Sequence, residues 1–183
     1  TRIFLDSGTN PPEGVVVNYF LENPSDINKI ILTFMDDKDN EIQSFSNKTR
    51  ACGDSEKEID PKPNLTTLKG TNQFVWDMRY PEAKNIPGDK TCLQGIPGPL
   101  ATPGNYKVCL KTNDRDIHIQ YFELIPDPRI TTTSEDYQSQ FEFLINIREK
   151  LSDTHNCVLR IRKIRTQISQ LLERTKKDEQ HQK

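Results

Sequence analysis

Between Gly70 and Pro81, Phe74, Trp76 and Met78 alternate with Val75, Asp77 and Arg79. A period of two sends successive side chains to opposite faces, so this stretch is expected as a strand with one face buried. Trp76 shares its phase with Phe74 and Met78, which makes it a core anchor and not an exposed sugar platform. Residues 98–110 repeat the grammar. Pro103 and Gly104 suit the second and third positions of a type II turn, and Tyr106, Val108 and Leu110 then alternate with Lys107, Cys109 and Lys111. The expected core is therefore Phe74, Trp76, Met78, Tyr106, Val108 and Leu110. Arg79 has the opposite phase and is expected as a structural fork, paired with Asp77 or a neighbouring carboxylate. Tyr80 and Tyr106 are expected to bond through their hydroxyls at a corner.

The rest of the first two-thirds follows the same period. Val15, Val17, Tyr19 and Leu21 share a face before the stop at Asn23-Pro24-Ser25. Ile30, Leu32 and Phe34 alternate in a second strand, residues 36–40 reverse it, and Glu41 to Phe45 returns as a hairpin partner. A closing hairpin runs from Tyr106 to Leu124 around Asn113-Asp114. Short strands at this spacing, with no interleaved helices, predict an antiparallel β-sandwich over 1–129 and exclude a doubly wound nucleotide-binding fold.

After Asp127-Pro128-Arg129 the period changes to that of a helix. Thr133 with Asp136 forms an aspartate version of the capping box, and Tyr137, Phe141, Leu144, Ile145 and Leu151 fall on one face. Residues 152–156 are expected to break this first helix. Cys157, Ile161, Ile164, Ile168 and Leu171 then recur at spacings of four and three, the seam of a helix that packs on another helix. The expectation for 130–183 is an αα-hairpin whose polar tail frays from Thr175.

The order G-x-N-x-F-x-W-D-x-R-Y-P over residues 70–81, G-P-x-A-x-P-G-x-Y-x-V-x-L over 98–110, then Asp127-Pro128-Arg129, resembles one family. It is the immunoglobulin-like module near the C-terminus of large bacterial proteins whose N-terminal part is a sortilin-like or BNR-repeat β-propeller. The resemblance covers Gly70 to Arg129 and continues into the helical part; residues 1–69 match in strand pattern only. It implies an immunoglobulin- or fibronectin-like sandwich, non-catalytic, secreted, periplasmic or on the cell surface, and attached to a propeller. Its implied partners are that propeller or another protein. Cysteines at 52, 92, 109 and 157, and the charged insertion from Asn47 to Lys69, depart from the family pattern.

Composition narrows the chemistry. A chain of 183 residues with 33% hydrophobic content suits a thin sandwich with polar loops better than a large enzyme core. The opening Thr1-Arg2-Ile3 follows no initiator methionine or signal pattern, so the chain is expected to be a processed or excised piece with more sequence upstream. No apolar run approaches the roughly 20 residues that cross a bilayer, and the net charge of -2 gives no general attraction to nucleic acid.

Four cysteines allow three complete pairings, and none forms a Cys-x-x-Cys pair. Cys52 and Cys92, in polar loops flanking the Trp76 strand, are the first choice for a disulfide; Cys109 and Cys157 are expected free and mostly buried. The carboxylates at 36, 37, 39 and 41 lack the glycine and bidentate glutamate of a calcium loop, so they read as a solvated turn. His118, His155 and His181 are scattered over a strand, a loop and a tail without ligand spacing, and are expected exposed or locally bonded. No serine sits in a nucleophile motif. Catalytic, cofactor and metal residues are expected to be none. The acceptor triplets at Asn47 and Asn64 would stay unmodified in a bacterial protein.

What remains is the helical end. Arg160, Arg162, Lys163 and Arg165, continued by Arg174, Lys176 and Lys177, surround the Ile164, Ile168, Leu171 seam without aromatics for base stacking. A solvated helix face is the plain reading of these cations; as a candidate interaction site, the residues would serve the propeller, another protein or a second copy through the helices. A carbohydrate-binding module and a nucleic-acid-binding helix are the competing functions, the first requiring an exposed aromatic strip and the second a purely electrostatic helix.

Overall fold

The computed structural model describes residues 10–47, 65–88, 95–113 and 116–181. Among these, strands β1 (Val15–Leu21), β2 (Ile30–Asp36), β3 (Glu41–Ser46), β4 (Gly70–Trp76), β5 (Gly104–Thr112) and β6 (Asp116–Leu124) precede one long helix, α1 (Ser134–His181). The fold is mostly β with a C-terminal helix.

The strands make two antiparallel sheets, β1 with β4 and β3-β2-β5-β6. In the smaller sheet Val15 lies opposite Trp76 and Leu21 opposite Gly70. In the larger, Leu32 of β2 faces Phe45 of β3 on one side and Leu110 of β5 on the other. Directly opposed residues share a face, so the apolar rows of neighbouring strands coincide and bury together. Tyr19, Leu21, Phe74 and Trp76 from one sheet join Ile30, Leu32, Phe34, Phe45, Tyr106 and Val108 from the other in a single core cluster. The chain divides into two units, one holding the strands and the other holding α1 with the segment Pro81–Pro99.

The expected core is present with one change of backbone. Phe74, Trp76, Tyr106 and Val108 are buried, and Leu110 and Met78 pack partly against them. Met78 is not in the strand, however. β4 ends at Trp76, and Met78 adopts a left-handed φ of 58°. The Asp77 carboxylate accepts the Arg79 N–H at 3.3 Å, and the Trp76 indole N–H donates to the Arg79 carbonyl at 3.3 Å. Two local bonds therefore turn the chain where alternation alone would continue it. The expected type II turn at Pro103-Gly104 does not form there, since Gly104 has a φ of 153° and already pairs with Leu124 as the first residue of β5. Tyr106 makes the expected corner bond, its hydroxyl donating to the Thr102 carbonyl at 2.6 Å.

The αα-hairpin is replaced by one continuous helix. Thr133 caps its start as expected: the Thr133 hydroxyl accepts the Asp136 N–H at 3.2 Å, and the Asp136 carboxylate accepts the Thr133 N–H at 3.2 Å. The expected break at 152–156 contains neither glycine nor proline. Its hydroxyls bond within the helix, Ser152 to the Arg148 carbonyl and Thr154 to the Lys150 carbonyl, both at 2.8 Å. Turn-forming side chains whose bonds are satisfied four residues back do not stop a helix. The polar residues from Thr175 to His181 belong to the same helix.

Candidate functional site

Two stripes run along α1. The first holds the segment that follows β4. Arg148 donates to the Pro81 carbonyl at 3.4 Å, the Lys84 N–H donates to the Ser152 hydroxyl at 3.1 Å, His155 Nδ1 meets the Lys84 carbonyl, and Arg162 donates to the Pro87 carbonyl at 3.3 Å. His155 is buried and sits in a helix, where sequence places it in a loop. Ile86, within the same segment, is also buried. This docking is absent from the sequence expectations. Its signal is the run Ser152 to His155, which carries bonding side chains but nothing that breaks a helix.

The second stripe is the seam. Ile161, Ile164 and Ile168, with Arg165 and Ser169, line a shallow groove. Ile161 is 65% exposed, Ile164 46%, Ile168 52% and Leu171 61%. At 3.6 residues per turn, the anchoring residues 148, 152, 155 and 162 and the seam residues 157, 161, 164, 168 and 171 point about 180° apart. The segment bonded to one face thus leaves the other open. Cys157, expected buried, is exposed at the start of the seam, while Cys109 is free and half-buried on β5. Burial fails for Cys157 because residues 134–151, expected as a separate helix packed on its seam, belong to the same continuous helix.

The cations separate by role. Arg160 and Arg165 are exposed and flank the seam on its two sides, and Arg174 continues the Arg160 side one turn beyond Leu171. Arg162 points away and holds Pro87. Of the candidate interaction residues, Ile164, Ile168, Leu171, Arg160 and Arg165 therefore share one surface.

The other sequence candidates are structural. Asp36 accepts the N–H groups of Lys38 and Asn40 at 2.9 and 2.8 Å and the Asn40 carboxamide at 2.9 Å, closing the β2–β3 turn as a solvated loop. Burial works against its charge, but bonds from the Asn40 side chain and from the Asn40 and Lys38 amides hold its carboxyl below the ordinary value. Asp39 pairs with Lys107. Asn72, buried in β4, bonds the Leu68 N–H and carbonyl at 2.9 and 2.8 Å and so fixes the entry to the Trp76 strand. His118 is exposed on β6. Among the described residues no group of His, Cys, Asp and Glu could hold a metal ion, and no helix is long and apolar enough to cross a membrane. Cys52 and Cys92, Lys48 and Thr49 of the first glycosylation triplet and Asn64 of the second lie outside the described residues.

No family model, curated protein or solved structure matches the chain.

Proposed function

We propose that the chain is a non-catalytic protein-interaction module, the C-terminal part of a larger secreted or surface β-propeller protein. The observation that carries the interaction reading is the open seam from Ile161 to Leu171, four large aliphatic side chains at heptad spacing left in water. A helix seam of this kind gains its free energy by covering itself with another apolar surface.

The finer fold reading is an immunoglobulin- or fibronectin-like β-sandwich. Its support is the strand order: β1 with β4, and β3-β2-β5-β6, correspond to strands B and E and to C′-C-F-G of that architecture. The Tyr106 hydroxyl on the Thr102 carbonyl, at the start of the strand corresponding to F, matches the tyrosine corner of such domains. The propeller context and the extracytoplasmic location rest on the motifs at 70–81, 98–110 and 127–129. The competing carbohydrate-binding reading loses its best platform, because Trp76 is fully buried.

The test is mass in solution by light scattering, with and without the separately produced propeller of the parent protein. Wild type is expected to gain a partner that Ile164→Asp with Ile168→Asp loses while keeping its fold. A wild-type chain that ignores the propeller would reject the module's attachment to it.

A further inference from the structure

We propose that the occupant of the seam is an amphipathic helix lying outside residues 1–183 that carries carboxylates beside its own apolar stripe. This rests on the reading of the seam as a docking face. In heptad terms Ile161 and Ile168 occupy a positions, Cys157, Ile164 and Leu171 d positions, Arg160 and Arg174 g positions, and Arg165 an e position. Phe143 and Ile147, both exposed, fall in the same register upstream. Branched residues at a with Ile or Leu at d specify close packing against a partner helix, and e and g charges select which helix.

The charges reject a second copy. In a parallel pair the g residue of one helix faces the e residue five positions on in the other, so Arg160 meets the copy's Arg165. In an antiparallel pair stacking Ile161 on Leu171 and Ile164 on Ile168, g faces g and e faces e. Arg160 then meets Arg174 of the copy, and Arg165 meets its own equivalent. Like charges at these positions destabilise the pair. Residues 157–177 hold seven basic side chains against Glu173 alone, and Glu173 lies on the far side of the helix from the seam. An acidic partner turns every one of these repulsions into an attraction. Nucleic acid would satisfy the arginines but leave the four aliphatic side chains in water.

The experiment titrates the chain with two synthetic four-heptad peptides, each with Ile at a and Leu at d, one with Glu and the other with Lys at e and g. Binding is read by fluorescence anisotropy at low and high salt, and the mass of the chain alone by light scattering. The expected result is a monomeric chain that binds the Glu peptide at least about tenfold more tightly than the Lys peptide, with affinity falling as salt rises. Arg160→Glu with Arg165→Glu and Arg174→Glu, checked for helix content by circular dichroism, should reverse the preference. Equal binding of both peptides would overturn the acidic partner while leaving a docking seam. Binding of neither, a dimer lost on Ile164→Asp, or an oligonucleotide that the Glu peptide cannot displace would each overturn the proposal. Propeller binding that survives Ile164→Asp with Ile168→Asp would instead reject the seam as the docking face.

Discussion

Phe34 and Trp76 stack across the two sheets, ring centroids 4.4 Å apart and planes 22° from parallel, and neither exposes any surface. Phe74, Tyr106 and Phe122 pack around this pair at tilted or edge-on angles. The contact joins β2 to β4, so it couples the sheets and not merely neighbouring strands.

Removing the indole should therefore act on the whole strand unit. Trp76→Ala is expected to cost about 3 to 5 kcal/mol, the range for deleting a large buried aromatic. Because Trp76 is the single tryptophan, its emission reports the site directly. A blue-shifted maximum resistant to iodide is expected in the native chain, and emission like that of free indole would refute the stacked core.

Gly14 carries a second constraint on the same residue. A Cβ there would lie 2.2 Å from the Trp76 carbonyl oxygen, and its φ of 140° disfavours any other side chain. An unstrained glycine-to-alanine change stabilises a chain by up to ~1 kcal/mol, whereas Gly14→Ala should destabilise it by more than that amount, since both strands would have to separate. Gly88→Ala serves as the control for backbone strain alone, because Gly88 also has a left-handed φ, 74°, but its Cβ would meet nothing within 4 Å. Similar urea midpoints for the two variants would contradict the close approach of β1 and β4.

Acid should weaken the turns and the helix start. Bonds from Thr133 hold the Asp136 carboxyl below its ordinary 3.8, and the turn bonds do the same for Asp36 against the opposing effect of burial. A carboxylate whose folded value is depressed contributes stability that is full above its unfolded value and is lost as pH falls through its folded value. Unfolding midpoints are thus expected to hold from neutrality to about pH 4 and to drop below it. Asp136→Asn should flatten part of that drop, and an unchanged acid profile would show that the cap adds nothing.

The strands were legible in the sequence because period two and turn residues are local signals, and Val15 to Leu21 lies in the strand the alternation marks. The Thr133 cap was legible for the same reason. The turn at Met78 was not, since it depends on the Asp77 carboxylate and the Trp76 indole finding backbone partners. Nor was the continuity of α1. Ser, Asp, Thr, His and Asn favour turns by competing for backbone groups, and here the hydroxyls of Ser152 and Thr154 satisfy themselves inside the helix. The seam's spacing was readable from Cys157 to Leu171, but its openness was not. That depends on the segment from Pro81 to Pro87 bonding the opposite face, a contact between residues more than sixty positions apart.

Cys157 provides the most direct measurement of the open seam, because its thiol lies within it. The rate of maleimide modification at Cys157 and Cys109, resolved by peptide mass spectrometry, is measured for the chain alone and with the separately produced propeller. Cys157 is expected to react faster than the half-buried Cys109 in the free chain and to slow by about tenfold or more in the complex. A Cys157 no faster than Cys109, or one whose rate is unchanged within a complex that forms, would contradict the open seam.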